Sequence, residues 1–267
     1  MRKLLTSGAM AVGMLLASCT PANRVVENPL IGAANTMTLD FPKIELSDTA
    51  TVLHVDAYFR PHNWIRIDAG SYLLADGQKY MLQGSEGILP DSLFWMPDSG
   101  EASFVLKFGP LPRGTKSFDF IESDCDDCFK LYGVDLTGKK EYPRYPEGLP
   151  RELRKAPEDG PVPEPILAVG TTTVNVRLLG YRRGMAKEVA MYVNSLLNGQ
   201  EEHTAAIDPE SGMATLRFEQ YGTAMAYVSC GPVFGMCWIA PGETLDMYIA
   251  TVSYTHLRAH ETEADLV

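Results

Sequence analysis

The sequence predicts an all-β protein: two antiparallel immunoglobulin- or fibronectin-like sandwiches in series, residues 36–138 and 169–251, joined by a Pro-rich connector over 139–168. Apolar residues recur with period two, which sends one set of side chains to a core and the other to water. Gly, Pro, Asn and Asp clusters punctuate these runs at turn-like spacing. Between the two patterned regions stand Pro143, Pro146, Pro150, Pro157, Pro161, Pro163 and Pro165. Each removes a backbone donor and restricts the residue before it, so neither sheet nor long helix suits that stretch.

Taken in order, Met37, Leu39 and Phe41 alternate with Thr38, Asp40 and Pro42, and Leu53, Val55, Ala57 and Phe59 with Val52, His54, Asp56 and Tyr58. Residues 63–68, 72–75, 79–83, 102–108, 116–122 and 129–136 read as further strands, separated by turns such as Asp76-Gly77 and Arg113-Gly114. In the second region Val174, Val176 and Leu178 share a face, as do Val189, Met191 and Val193, and Ala214, Leu216 and Phe218. Residues 203–207 and 213–221 flank Asp208-Pro209-Glu210-Ser211-Gly212, a hairpin signature. With 224–230, 236–240 and 244–249 these make about seven strands, the number of an immunoglobulin-type sandwich. Residues 185–197 are compatible with strand or helix, and 152–155 with one helical turn.

The start of the chain has a basic pair, Arg2 and Lys3, then a short apolar run ending in Leu16-Ala17-Ser18-Cys19. The run is too short to span a bilayer and reads as a secretory signal over 1–18. Its end resembles the lipobox of bacterial lipoproteins, where cleavage exposes the Cys for acylation. That resemblance implies lipidation of Cys19, a polar tether over 19–35, and anchoring to the cell envelope facing the periplasm. Several acyl chains together hold firmly where one would not.

At the other end, residues 252–262 resemble a translated sequencing adapter, so 252–267 is expected to be an artefact tail on a truncated chain. His256, His260, Glu261 and Glu263 fall within it, and no metal site is read from them. The chain carries a formal net charge of −11, unchanged in sign when signal and tail are set aside. An acidic chain without a Lys/Arg stripe repels phosphate backbones, which excludes nucleic acid as a partner.

Cys125-Asp126-Asp127-Cys128 is a CxxC motif, but Asp124, Asp126 and Asp127 surround it with negative charge and disfavour a thiolate. A local structural disulfide or free thiols is the leading reading, ahead of redox or metal chemistry. Cys230 and Cys237 flank a hairpin loop and could pair across neighbouring strands or stay as two buried thiols. Glu122 beside Asp124, and Glu201-Glu202, have the composition of calcium or acid–base pairs but read as solvated turns. His54, His62 and His203 lack ligand spacing. Trp64, Trp95 and Trp238 suit either a sugar-stacking platform or, as the preferred expectation, the sandwich core. There is no Gly-rich phosphate loop and no Gly-x-Ser-x-Gly, so no catalytic residue, metal or cofactor is expected.

Phe118-Asp119-Phe120-Ile121-Glu122, Leu131-Tyr132-Gly133-Val134-Asp135-Leu136 and Ile239-Ala240-Pro241-Gly242-Glu243-Thr244-Leu245 resemble the N-terminal region of Gram-negative lipoproteins of the TlpA-like disulfide reductase group. The resemblance spans about residues 30–250. It implies a thioredoxin-like domain C-terminal to these modules, which this sequence does not contain, so no catalytic residue carries over. The expectation is a set of non-catalytic, membrane-anchored periplasmic modules from a thiol–disulfide oxidoreductase. The alternative is a self-contained β-sandwich lipoprotein that binds a glycan or a periplasmic protein.

Overall fold

The computed structural model describes residues 24–125, 127–155, 164–195 and 199–251. Cys19 and the adapter-like tail lie outside the described residues. The chain is all-β, as its period-two patterning requires, with one 3₁₀ turn at Arg151–Arg154 as the helical element among the described residues.

The first unit contains β1 (Arg24–Glu27), β2 (Ala33–Ala34), β3 (Leu39–Leu46), β4 (Thr51–Tyr58), β5 (Trp64–Ile65), β6 (Tyr72–Ala75), β7 (Gln78–Glu86), β8 (Phe94–Trp95), β9 (Glu101–Phe108), β10 (Ser117–Ile121) and β11 (Lys130–Asp135). Nine of them form one antiparallel sheet in the order β1-β3-β4-β9-β7-β6-β10-β11-β2, and β5 pairs β8 separately. The two halves of this sheet are joined edge to edge through one strand. The link is β7, whose first part pairs β6 (Tyr72 opposite Met81) and whose second part pairs β9 (Ser85 opposite Leu106). A register shift between Leu82 and Gly84 marks the bend.

Bending lets the two halves close over one core. Phe120 of β10 meets Phe41 of β3 edge-on at 5.5 Å and Phe108 of β9 at 6.1 Å, and all three are buried. Such edge-to-face contacts set the negative ring face of one aromatic against the positive edge of the next. In β3 a second register shift, between Asp40 and Lys43, places Pro42 where no ladder donor is needed. It also moves the inward parity, so Leu39, Phe41 and Ile44 are all buried. Within residues 19–35, expected as tether, Arg24–Glu27 and Ala33–Ala34 are edge strands of this unit, and Val26, Ile31, Ala33 and Ala34 are buried.

The second unit contains β12 (Gly170–Leu179), β13 (Glu188–Ser195), β14 (Gly199–Ala206), β15 (Met213–Gln220), β16 (Ala224–Cys230), β17 (Val233–Ile239) and β18 (Thr244–Ala250). Its sheets, β15-β12-β18 and β14-β13-β16-β17, contribute to one core through Val174, Val176, Met191, Val193, Leu216, Val228 and their neighbours. Of the ambiguous stretch 185–197, residues Glu188–Ser195 are the strand β13, and 196–197 lie outside the described residues. The connectivity departs from the immunoglobulin order, in which the first two strands pair. Here β12 lies between β15 and β18, and its pairing with β18 is parallel. The turn after β17 carries the chain from one sheet to the other, pinned by the buried Thr172 hydroxyl donating to the Ala240 carbonyl at 2.7 Å.

The connector touches both units. The Tyr142 hydroxyl accepts the Ile31 amide at 3.1 Å, and Ile166 exchanges bonds with Thr223. Phe120→Ala is expected to lower the unfolding free energy by about 3–5 kcal/mol in a urea melt, the usual range for a truncated buried Phe. A loss below about 1 kcal/mol would contradict a core shared by the two halves.

Candidate functional site: the seam between the two β units

Each unit leaves a small apolar area uncovered, and these areas meet. Ala33, Tyr72, Ile121 and Tyr132 of the first unit enclose Met185, which projects from the loop between β12 and β13. Burial, followed by the nearby Asp119 charge, pushes the Tyr132 phenol up to about 12, so it stays protonated. The Ala34 amide donates to the Thr251 carbonyl at 3.4 Å, tying the far end of β18 to β2.

The CxxC segment borders this seam. The structure joins Cys125 to Cys128 with Cα atoms 5.3 Å apart. Two side chains that the sequence analysis did not single out hold the loop. Lys130, itself buried, donates from Nζ to the Cys125 carbonyl at 2.7 Å and to Gly184 of the second unit at 3.4 Å. Asn35 donates from Nδ2 to the Cys128 carbonyl at 2.8 Å and accepts the Lys130 amide on Oδ1 at 2.8 Å. No sequence signal marks Lys130, since a lysine in a strand ordinarily faces water.

Next to the loop a cavity of about 360 Å³ opens between the units, lined by Asn35, Met37, Tyr181, Met185, Cys230 and Phe234 among others. Its side-chain polar groups are already engaged: Tyr181 donates to the Ala186 carbonyl at 3.0 Å, Thr251 to Leu179 at 2.8 Å, and Thr36 accepts the Thr38 amide at 3.0 Å. The wall therefore offers apolar contact and little directional bonding.

Cys230 and Cys237 are free thiols and are not opposed, which is the second of the two accounts considered for them. In the β16–β17 ladder Cys230 faces Val233 and Cys237 faces Ala226, so no short Cβ–Cβ approach brings the sulfurs together. Burial pushes the Cys230 thiol up to about 11 and raises Cys237 as well. Neutral buried thiols are poor nucleophiles.

The remaining expected residues are dispersed. Glu122 is buried rather than part of a solvated turn: Oε2 accepts the Phe129 amide at 2.8 Å and Oε1 the Asp68 amide at 3.3 Å. Burial raises its carboxyl above the ordinary value in spite of these bonds. Glu201 and Glu202 lie in β14, not a turn, and Glu202 accepts the Tyr192 hydroxyl at 2.9 Å. His54 bonds Glu45 at 2.9 Å, His62 pairs with Asp98, and His203 stacks on Phe218 at 3.9 Å. Trp64, Trp95 and Trp238 are 49%, 61% and 46% exposed, which overturns their expected place in the core. The reason is parity: their strand neighbours Ile65, Met96 and Ile239 take the inward positions. Among the described residues no group of three or more His, Cys, Asp or Glu could hold a metal ion.

No family model matches the chain, and no curated protein does. A crystal structure of a pullulanase complexed with maltotriose, from Anoxybacillus sp. LM18-11, is similar over 73% of this chain and 26% of its own, at 10% identity and a TM-score of 0.23. The chain thus spans about a quarter of that protein. A likeness that loose fixes neither fold nor ligand.

Two outcomes follow from this geometry. With Cys19 replaced by Ser, the unfolded, unreduced protein is expected to release two thiols to a thiol reagent, while native Cys230 stays silent; a thiol count of four without reductant contradicts the Cys125–Cys128 bond. For Glu122, a carboxyl whose native pKa lies above 4.5 binds its proton more tightly folded than unfolded. Its contribution is present below that value and is lost as pH rises through the native pKa. The stability of the wild type relative to Glu122→Gln should therefore fall as pH rises above 4.5 in urea melts. A difference that does not vary with pH would contradict the raised value.

Proposed function

We propose that this chain supplies non-catalytic, lipid-anchored β modules of an envelope thiol–disulfide reductase similar to the TlpA-like group. The modules hold a redox partner or domain at a fixed place beside the membrane and perform no chemistry themselves. The observation that carries the reading is where the three resembling segments fall. Phe118-Asp119-Phe120-Ile121-Glu122 and Leu131-Tyr132-Gly133-Val134-Asp135-Leu136 pair as β10 and β11, and they contribute Ile121 and Tyr132 to the seam. They also hold two buried carboxylates, Glu122 and Asp135, the latter 1% exposed and bonded to Thr137 at 2.7 Å. Ile239 ends β17, residues 240–243 form the sheet-crossing turn, and Thr244 and Leu245 open β18. The resembling segments thus lie in the core and at the seam, where a module that positions a partner would place them. The buried thiols and the locked Glu122 agree with a positioning role.

The anchor and the family are tested separately. Cys19→Ser is expected to abolish palmitate incorporation and move the protein from the membrane to the soluble fraction; unchanged membrane retention would remove the anchor from the proposal. An independent read of the gene across codon 251 is expected to run in frame into a thioredoxin-like domain with a Trp-Cys-x-x-Cys site. A native stop near that codon would overturn the reductase assignment.

A further inference from the structure

The longest two-stranded feature of the first unit is not covered by that reading. The β4–β9 ladder, which reaches Tyr58 opposite Glu101, runs on into β5 and β8 in the same register, where Trp64 stands directly opposite Trp95. Between the two ladders the Phe59 amide donates to Gly100 at 2.9 Å, His62 to Met96 at 3.2 Å and Met96 to Asn63 at 2.8 Å. The result is a continuous arm. Its inner side is fixed by Ile65 and Met96, 3% and 2% exposed, with Phe94 packed against the core. Its outer side carries the two indoles at 49% and 61% exposure. Directly opposed residues of an antiparallel pair have Cβ atoms about 4.5–5.5 Å apart, so the two rings form one patch.

Neither indole belongs to the buried core of this unit. Their surroundings are polar and of both signs. At one end His62 lies 3.4 Å from Asp98, with side chains 76% and 96% exposed. At the other, exposed Arg66 and Leu93 take the next positions in register, with exposed Asp91 nearby in the chain.

We propose that Trp64 and Trp95 form a stacking platform for the pyranose rings of a neutral oligosaccharide. A sugar ring presents an apolar C–H face and a rim of hydroxyls, and this patch presents an apolar floor with donors and acceptors at its edges. The π-faces of indole take the C–H groups, and Arg66, His62 and Asp98 are placed to meet hydroxyls. The chain's net charge of −11, with Asp91 and Asp98 at the patch, opposes polyanionic glycans and anionic lipid surfaces. A neutral ligand meets no such penalty. The proposal does not rest on the reductase reading and survives its failure.

The test is titration of the full chain with cellohexaose, chitohexaose and maltohexaose, read by tryptophan fluorescence and by calorimetry. At least one sugar is expected to give a saturable emission shift. Trp64→Ala and Trp95→Ala should each weaken binding at least about tenfold, the loss of one good aromatic contact. The double variant should abolish binding, while Trp238→Phe, in the other unit, leaves it intact. Thermal melts of the single variants should match the wild type, since both rings are exposed; where one does not, Trp64→Phe and Trp95→Phe are expected to keep measurable binding at reduced affinity. No saturable signal with any of the three sugars overturns the proposal. So does sugar binding that persists in the double variant, or phosphatidylcholine vesicle binding that is lost in it without any sugar binding.

Discussion

A single strand bonded to both halves of a sheet governs the first unit. Gln78–Glu86 spends its first residues on β6 and its last on β9, with the register shift at Leu82/Gly84 between them. A straight strand would keep β6, β10 and β11 in the plane of β3, β4 and β9, leaving two wet faces. The bend folds one half over the other, and Phe120 then reaches Phe41 and Phe108. Burial of these three rings is possible only because that backbone position yields.

The second consequence of the bend is the seam. Once β10 and β11 are turned over the core, Ile121 and Tyr132 face away from it and need another cover, which Met185 and Tyr181 of the second unit supply. The disulfide loop sits at the edge of this contact, with its carbonyls held by Lys130 and Asn35. A buried ammonium is tolerated there because it bonds carbonyls from both units. The reactive groups near the seam are correspondingly quiet: a closed disulfide, a thiol raised by burial, and a phenol raised in the same way. None of these three groups is held as an activated nucleophile.

Much of the fold was legible because alternation is a local property. Val174, Val176, Leu178, Val189, Met191, Val193, Ala214, Leu216 and Phe218 all point inward, as their parity requires. The failures have identifiable causes. Residues 24–34 are few and interrupted by Pro29, so two short edge strands looked like tether. Glu122 looked solvated because its two amide donors come from Asp68 and Phe129, one of them distant in sequence. The tryptophans were assigned inward on hydrophobicity alone, although each has an apolar strand neighbour that competes for the core side.

By itself the sequence determined the class of structure and the inward sets of β4, β12, β13 and β15, since each depends on residues within a few positions of one another. Only the tertiary structure decided that one strand joins both halves of the first unit, that β18 runs parallel to β12, that Cys230 and Cys237 stand apart, and that Trp64 faces Trp95 across an exposed arm. Those outcomes depend on which strands become neighbours, a choice made by the packing of the whole chain and written in no single stretch of it.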